Sequence, residues 1–338
     1  MRNDANRQVV LAARPVGIPG PEHFEIRDAA MPEPGRGEML VRNLYLSVDP
    51  AMRGWVNEAA NYSEPVGIGE VMRAFAAAEV VRSDLPEYTV GEIVCGTFGW
   101  QEFAVSDGRN VSFKHEPGEA PVSAALGILG VNGITAYFGL LDVGLPKRGE
   151  TVVVSTAAGA VGSAVGQIAR IHGCRTVGIT GSDDKVALCR EAFGYDAAIN
   201  YRTADLDAEL AAACPEGIDV YFDNTSGRIS DAVYRQLRHG ARSVVCGTAS
   251  VASWEPWPEG PRVERHLLVK RARIQGFLLF DYQARYAEAR AQLAAWLREG
   301  RLSYREDILD GLEEAPGAIA RLYAGENTGK LLIRLGTG

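Results

Sequence analysis

Hydrophobic and polar positions follow two rhythms along this chain. Up to about residue 120, apolar and polar residues alternate over short stretches at 9–14, 24–28, 38–45, 78–81, 92–98 and 100–106. Turn chemistry such as 32–35 (PEPG) and 36–38 (RGE) separates them. A period of two between Pro/Gly turns predicts short half-buried strands, which together suit a partly open β-barrel. The rhythm changes near residue 122. Helical spacing covers 122–126 and 132–142, and from residue 151 apolar strand-length runs alternate with helical stretches. The strands are expected at 151–156, 175–180, 195–199, 218–223, 241–246 and 272–277, with helices at 160–172, 183–193, 205–213, 228–237 and 284–299. That alternation predicts an α/β fold, a doubly wound parallel sheet of six strands. After Gly300, strands at 303–308 and 330–334 flank a helix at 313–324 and are expected to return to the N-terminal barrel. The expected domains are therefore 1–122, completed by 300–338, and 123–299.

Composition adds mainly exclusions. The chain has 338 residues, 46% apolar and 23% charged, enough for two cores without covalent staples. A net charge of −8 argues against nucleic acid or an acidic membrane surface as partner. The stretch 121–145 is broken by glycines, Asn132, Thr135 and Asp142 and falls short of a membrane span. The polar N-terminus has no apolar signal-peptide core. The five cysteines form no C-x-x-C pair, and the five histidines stand at no metal-ligand spacing, so neither a disulfide framework nor a zinc site is expected. A reducing, cytoplasmic location follows.

The chemistry concentrates where the first α/β strand ends. Val152, Val153 and Val154 run into A-x-G-x-x-G, from Ala157 through Gly159 to Gly162, and then into an amphipathic helix. Glycines there let backbone approach a pyrophosphate, and the helix N-terminus favours its charge. The same small residues also allow tight helix–strand packing; the full alternating context favours a dinucleotide site. The second strand ends Gly181-Ser182 with no acid to accept from a ribose 2′-hydroxyl, while Lys185 lies in the first turn of the next helix. A cation there suits a 2′-phosphate, which predicts NADP(H). Lys185 is also one of only five lysines among 35 basic residues, so its placement carries more weight than that of an arginine. Asp183 and Asp184 are read as complements of the helix dipole. Asn224 and Thr248, at the ends of the fourth and fifth strands, are placed either to meet the nicotinamide half or to cap turns.

These pieces, in this order, resemble the medium-chain dehydrogenase/reductase superfamily. The nearest likeness is to its zinc-free branch of NADPH-dependent alkenal/one double-bond reductases, both prostaglandin-reductase-like and curcumin-reductase-like. The stretches that carry the likeness are 44–54 (LYLSVDPAMRG), 133–140 (GITAYFGL), 157–167 (AAGAVGSAVGQ), 181–185 (GSDDK), 221–224 (YFDN), Cys246-Gly247 and 325–330 (GENTGK). The resemblance implies a GroES-like catalytic domain, built from both ends of the chain, and a Rossmann domain. It implies that Gly159, Ala160, Val161 and Gly162 cover the pyrophosphate and that Lys185 and Tyr201 hold the 2′-phosphate end. Asn224, Cys246, Phe277 and Asn327 would line the rest of the cofactor channel, with Thr135 near the carboxamide; Gly247 and Thr248, at the end of the fifth strand, are counted with the cofactor-binding residues. Two positions depart from the pattern: relatives often carry tyrosine where this chain has Ala51 and Ala252. Tyr62, in 61–66 (NYSEPV), matches a tyrosine of the curcumin-reductase-like pattern and is the candidate proton donor, with water as the other source and a surface-loop aromatic as the competing reading. Phe75 stands where relatives tend to have small residues, either narrowing the pocket or packing in the barrel.

The implied reaction is hydride transfer to the β-carbon of an α,β-unsaturated ketone or aldehyde, with Tyr62 or a ribose hydroxyl donating to the developing enolate. A quinone oxidoreductase of the same superfamily and a non-catalytic NADPH-binding redox sensor are the alternatives. A homodimer is expected, pairing through the sixth strand at 272–277.

Overall fold

The computed structural model describes residues 5–58, 62–251 and 256–335. Within them the chain first forms β1 (Ala5–Leu11), β2 (Phe24–Ala30), β3 (Met39–Ser47), a short helix α1 (Met52–Trp55), β4 (Phe75–Ser83), β5 (Ile93–Thr97), β6 (Phe103–Ser106) and β7 (Val111–His115). Then follow α2 (Val131–Phe138), β8 (Thr151–Ser155), α3 (Ala160–Ile171), β9 (Arg175–Thr180), α4 (Asp183–Glu191) and β10 (Ala197–Asn200). The same alternation continues through α5 (Leu206–Ala213), β11 (Ile218–Asp223), α6 (Gly227–Arg235), β12 (Leu237–Val245), α7 (Glu264–Lys270), β13 (Arg273–Gly276) and α8 (Tyr286–Arg298). The chain ends with β14 (Glu306–Asp310), α9 (Ala315–Ala324) and β15 (Lys330–Arg334).

Two compact units result, one from Met1–Gly127 together with Glu306–Gly338, the other Ile128–Arg305. In the first, the described strands form a mixed sheet in the order β14-β15-β3-β4-β5-β7, with β6 also on β3, beside a β1–β2 hairpin. The C-terminal strands thus return to the N-terminal sheet, as expected: β15 runs antiparallel to β3, pairing Leu332 with Ser47. Strand β4 starts at Phe75 and includes Ala76, Ala77 and Ala78, all fully buried. Phe75 is itself buried and meets Trp55 edge-on, with ring centroids 6.3 Å apart, so it packs in the core of this unit.

The second unit is a six-stranded parallel sheet in the order β10-β9-β8-β11-β12-β13, the doubly wound topology predicted from the alternating pattern. Its centre is apolar on both faces, as a helix-covered parallel sheet requires. Val152, Val153, Val154, Val177, Ile179, Val220, Tyr221 and Phe222 are all fully buried. Each such side chain contributes about 1.5–3 kcal/mol on burial. The strand order reverses between β8 and β11, and the crevice at such a switch point is where ligands bind. The helix expected over 132–142 ends early, at Phe138, and the chain continues as a wider π-type turn over Gly139–Gly144. A β-carbon at Gly139 would lie 2.6 Å from the Phe277 ring and 2.8 Å from Phe222, so the backbone is pressed against both.

Candidate cofactor site and donor loop

In the second unit, β8 delivers the chain to the glycine turn. Thr156 takes a left-handed φ of 54°, and Gly159, extended, precedes the first residue of α3. The Ser163 amide donates to the Gly159 carbonyl at 2.9 Å, the first bond of the helix. The amides of Ala160, Val161 and Gly162 therefore precede any acceptor within α3 and point out of its N-terminus. Gly159, Ala160 and Val161 are partly exposed, while Gly162 is buried. A β-carbon on Gly162 would stand 2.2 Å from the Thr156 carbonyl oxygen and 2.9 Å from Ala157 Cα. Only glycine lets the first turn of α3 sit this close to the strand exit. The arrangement fits a pyrophosphate: amides aimed outward, the helix dipole behind them, and no side chain in the way.

The tip of β9 fits a phosphate as well. Ser182 caps α4 by accepting from the Lys185 amide at 3.3 Å, which places the Lys185 side chain in the first turn, partly exposed. The Tyr201 amide donates to the Thr180 carbonyl at 3.0 Å and brings the end of β10 alongside. A β-carbon on Gly181 would lie 3.2 Å from the Tyr201 ring and 3.3 Å from Arg202 Nε. The Arg202 guanidinium lies over the Tyr201 ring, 5.9 Å from its centroid. Lys185, Tyr201 and Arg202 thus gather around Gly181 and Ser182. Arg202 is a residue that sequence reasoning missed. Of the two acids beside them, Asp183 accepts from the Asn200 amide at 2.7 Å.

At the end of β11, the buried Asp223 carboxylate organises the turn. It accepts from the Tyr221 hydroxyl at 3.0 Å, the Thr225 and Ser226 amides at 2.9 and 2.8 Å, and the Ser230 hydroxyl at 2.6 Å. Asn224 is fixed against β8: its side-chain amide donates to the Ser155 carbonyl at 2.7 Å, and its backbone amide to the Ser155 hydroxyl at 2.8 Å. The amides of Cys246 and Gly247 both donate to the Asp223 carbonyl, at 2.8 and 3.1 Å. Cys246 is partly exposed, yet burial of the thiol, reinforced by the Asp223 charge, pushes it up to about 12, so it stays protonated at neutral pH. Thr248 follows, and its carbonyl accepts from the Val251 amide at 3.0 Å. On the neighbouring elements, the Thr135 hydroxyl donates back to the Val131 carbonyl at 2.6 Å, and Phe277 packs edge-on to Tyr282 at 6.2 Å.

The remaining predicted residues lie in the first unit. Asn327 is partly buried, and its side-chain amide donates to the Gly329 carbonyl at 2.6 Å. Tyr62 is 45% exposed. Ala51 sits just before α1, half-buried. Ala252 lies outside the described residues. Among the described residues, no group of three or more His, Cys, Asp and Glu could hold a metal ion.

Comparison with known proteins agrees over nearly the full length. Residues 7–113 match the family described as the N-terminal domain of oxidoreductase, and residues 160–295 the family described as zinc-binding dehydrogenase. The chain is 42% identical to the NADPH-dependent curcumin reductase of Escherichia coli, over 98% of this chain and 97% of that one. It is 38% identical to the NADP-dependent 2-alkenal reductase of Nicotiana tabacum, over 97% of each. This chain belongs to the zinc-free branch of the medium-chain dehydrogenase/reductase superfamily. Its fold agrees with that of CurA from Vibrio vulnificus, solved in complex with NADPH: TM-score 0.93 and 44% identity, covering 98% of this chain and all of that one.

Proposed function

We propose that this protein is an NADPH-dependent reductase of the carbon–carbon double bond of α,β-unsaturated ketones and aldehydes. The observation that carries the cofactor half is the β9 tip, where Tyr201 and Arg202 lie against Gly181, Lys185 stands in the first turn of α4, and β9 itself ends without an acid. The reaction half rests on the full-length likeness to reductases named for curcumin and 2-alkenal substrates. Residues 123–299 are assigned to cofactor binding, and residues 1–122 with 300–338 to catalysis.

When bound, NADPH supplies a hydride for the β-carbon of the conjugated carbonyl. Gly159, Ala160, Val161 and Gly162 would hold the pyrophosphate with backbone amides, Lys185 and Arg202 would neutralise the 2′-phosphate, and the Tyr201 hydroxyl would donate to it. Asn224, Cys246, Gly247, Thr248, Thr135 and Phe277 would shape the nicotinamide side, and Asn327 is a further residue assigned to cofactor binding. As hydride adds to the β-carbon, the double-bond electrons move onto the carbonyl oxygen as an enolate. A donor aimed at that oxygen lowers the barrier. Tyr62 is the donor we assign, and a proton from its phenol or from water then completes the α-carbon.

We also infer that two copies pair through β13 and that the enzyme works in the cytoplasm, with small molecules rather than nucleic acid or membranes as partners. All five cysteines are free thiols, which supports a reducing compartment. No helix among the described residues is long and apolar enough to cross a membrane.

The test is NADPH oxidation against a panel of simple enones, with NADH and a quinone in parallel. Enone-dependent oxidation with NADPH and little with NADH is the expected result. Turnover of quinone alone would move the protein to a different acceptor class, and tight NADPH binding without any turnover would make it a sensor.

A further inference from the structure

Tyr62 stands on a segment whose supports can be traced bond by bond within the first unit. The Val66 amide donates to the Trp55 carbonyl at 2.8 Å, and Arg14 Nη1 donates to the Val56 and Val66 carbonyls at 2.9 and 2.5 Å. The Asn57 side-chain amide donates to the Arg53 carbonyl at 3.1 Å. Asn57 and Val66, which precede and follow Tyr62 in the chain, are therefore both tied to α1. Helix α1 has four residues and cannot hold itself in place. It is held by the C-terminal segment, some 270 residues away in sequence. Lys330 Nζ donates to Asp49 Oδ1 at 2.6 Å and to the Val48 carbonyl at 2.9 Å, an ion pair with side chains only 4% and 7% exposed. Asp49 also accepts from the Ser47 hydroxyl. One residue on, the Tyr323 hydroxyl donates to the Pro50 carbonyl at 2.9 Å. The Arg53 guanidinium lies over the Tyr323 ring, 4.7 Å from its centroid. The Tyr323 phenol is raised above its ordinary range by burial; the Arg53 charge opposes that shift, and Tyr62 adds to it.

We propose that Tyr323 is a positioning residue for Tyr62: by gripping Pro50 and Arg53 it fixes α1, and with it the segment that presents the Tyr62 phenol. This rests on the assignment of Tyr62 as donor. Tyr323 itself is assigned no contact with substrate or cofactor.

The test is a double-mutant cycle of Tyr62→Phe and Tyr323→Phe, reading kcat with a saturating enone, the Kd for NADPH and the melting temperature. Tyr323→Phe keeps the ring under Arg53 and removes only the hydroxyl that grips Pro50, so it leaves no buried charge unpaired. Tyr62→Phe is expected to lower kcat roughly tenfold or more, the range of a general acid. Tyr323→Phe should lower it roughly three- to tenfold, since small misplacements are costly in catalysis. The double variant should be no slower than Tyr62→Phe within about twofold, because residues acting through one group are not additive. The Kd for NADPH should stay within about twofold throughout, a limit that corresponds to well under 1 kcal/mol. A Tyr323→Phe enzyme with wild-type kcat overturns the proposal. So does an equal loss in both backgrounds, which is the signature of a merely structural role. Full turnover by Tyr62→Phe refutes the donor assignment itself, and the positioning role falls with it. An equal loss in both backgrounds with a slow Tyr62→Phe leaves the donor standing and removes Tyr323 alone.

Discussion

In the proposed function Lys185 and Arg202 divide one task between two elements, and that division makes the cofactor preference testable. Each offers a cation to a group that NADPH has and NADH lacks, so removing either should cost NADPH and spare NADH. Lys185→Ala and Arg202→Ala are each expected to raise the KM for NADPH by roughly tenfold, about 1.4 kcal/mol, with NADH changed by less than about twofold. An unchanged NADPH-over-NADH ratio in both variants would show that the 2′-phosphate is held elsewhere. Lys185 was legible in the sequence because it sits three residues after a capping serine, a purely local relation. Arg202 was not. It reaches Gly181 because β10 lies parallel to β9, with Asn200 opposite Thr180, and no short-range pattern encodes that register. Tyr323 was hidden for the same reason, since its partner Pro50 is 273 residues away. Asn224 shows the opposite limit. Its placement at a strand end was legible, but sequence left open whether it caps a turn, and the structure shows its side-chain amide bonded to Ser155.

At the scale of elements, the turn from β8 into α3 is where sequence and packing coincide most closely. A methyl group at Gly162 would run into the backbone at Thr156 and Ala157, neither of which can swing aside as a side chain would. Gly162→Ala is therefore expected to push the start of α3 off the sheet. The cost should be about 1–3 kcal/mol, the range for overpacking, seen as a melting temperature lower by several degrees. NADPH affinity should fall with it, because the outward-facing amides move. Gly317, in α9, is the control: its β-carbon would meet nothing, so Gly317→Ala should stabilise by up to about 1 kcal/mol through helix propensity. Equal melting temperatures for wild type and Gly162→Ala would refute the close-packing account. Elements with a strong period were legible, as the β8–β13 alternation shows. Those held by packing alone were not. β4 extends back from the expected residue 78 through Phe75–Ala77 because small buried alanines fit against β3 and β5, although alanine has little preference for strands. β7 alternates apolar and polar residues but over only five positions, and only His115 is buried, so it is too short to stand out. α7 buries none of its residues, so it carries no apolar stripe to read.

Across the whole molecule, the exposed side of α7 and β13 bears on assembly. β13 is the last strand of its sheet and pairs only with β12 among the described residues, so its outer edge presents unpaired backbone groups. Close to it along the chain, on either side, come Leu268, 80% exposed, Val269, Leu278 and Phe280, all exposed. An open strand edge beside large exposed apolar side chains is a surface that a monomer normally blunts. A second copy placed across a twofold axis would cover it with the same surface, pairing β13 antiparallel to its counterpart. Light scattering should then give twice the chain mass at micromolar concentration, and the melting temperature should rise with protein concentration. Leu268→Glu combined with Val269→Glu should shift the protein towards monomer. In the isolated chain both side chains already face water, so the substitution itself should cost less than about 0.5 kcal/mol of monomer stability. A wild-type protein that stays monomeric would refute the dimer outright. A dimer untouched by the double substitution would place the interface on another face. If the variant is monomeric and still oxidises NADPH with an enone at the wild-type rate, each chain carries a complete site, and pairing through β13 serves stability alone. If turnover falls as the dimer parts, with NADPH binding intact, the sheet edge also supports the substrate side of the site, and Leu278 and Phe280, next along the chain, are the first residues to examine.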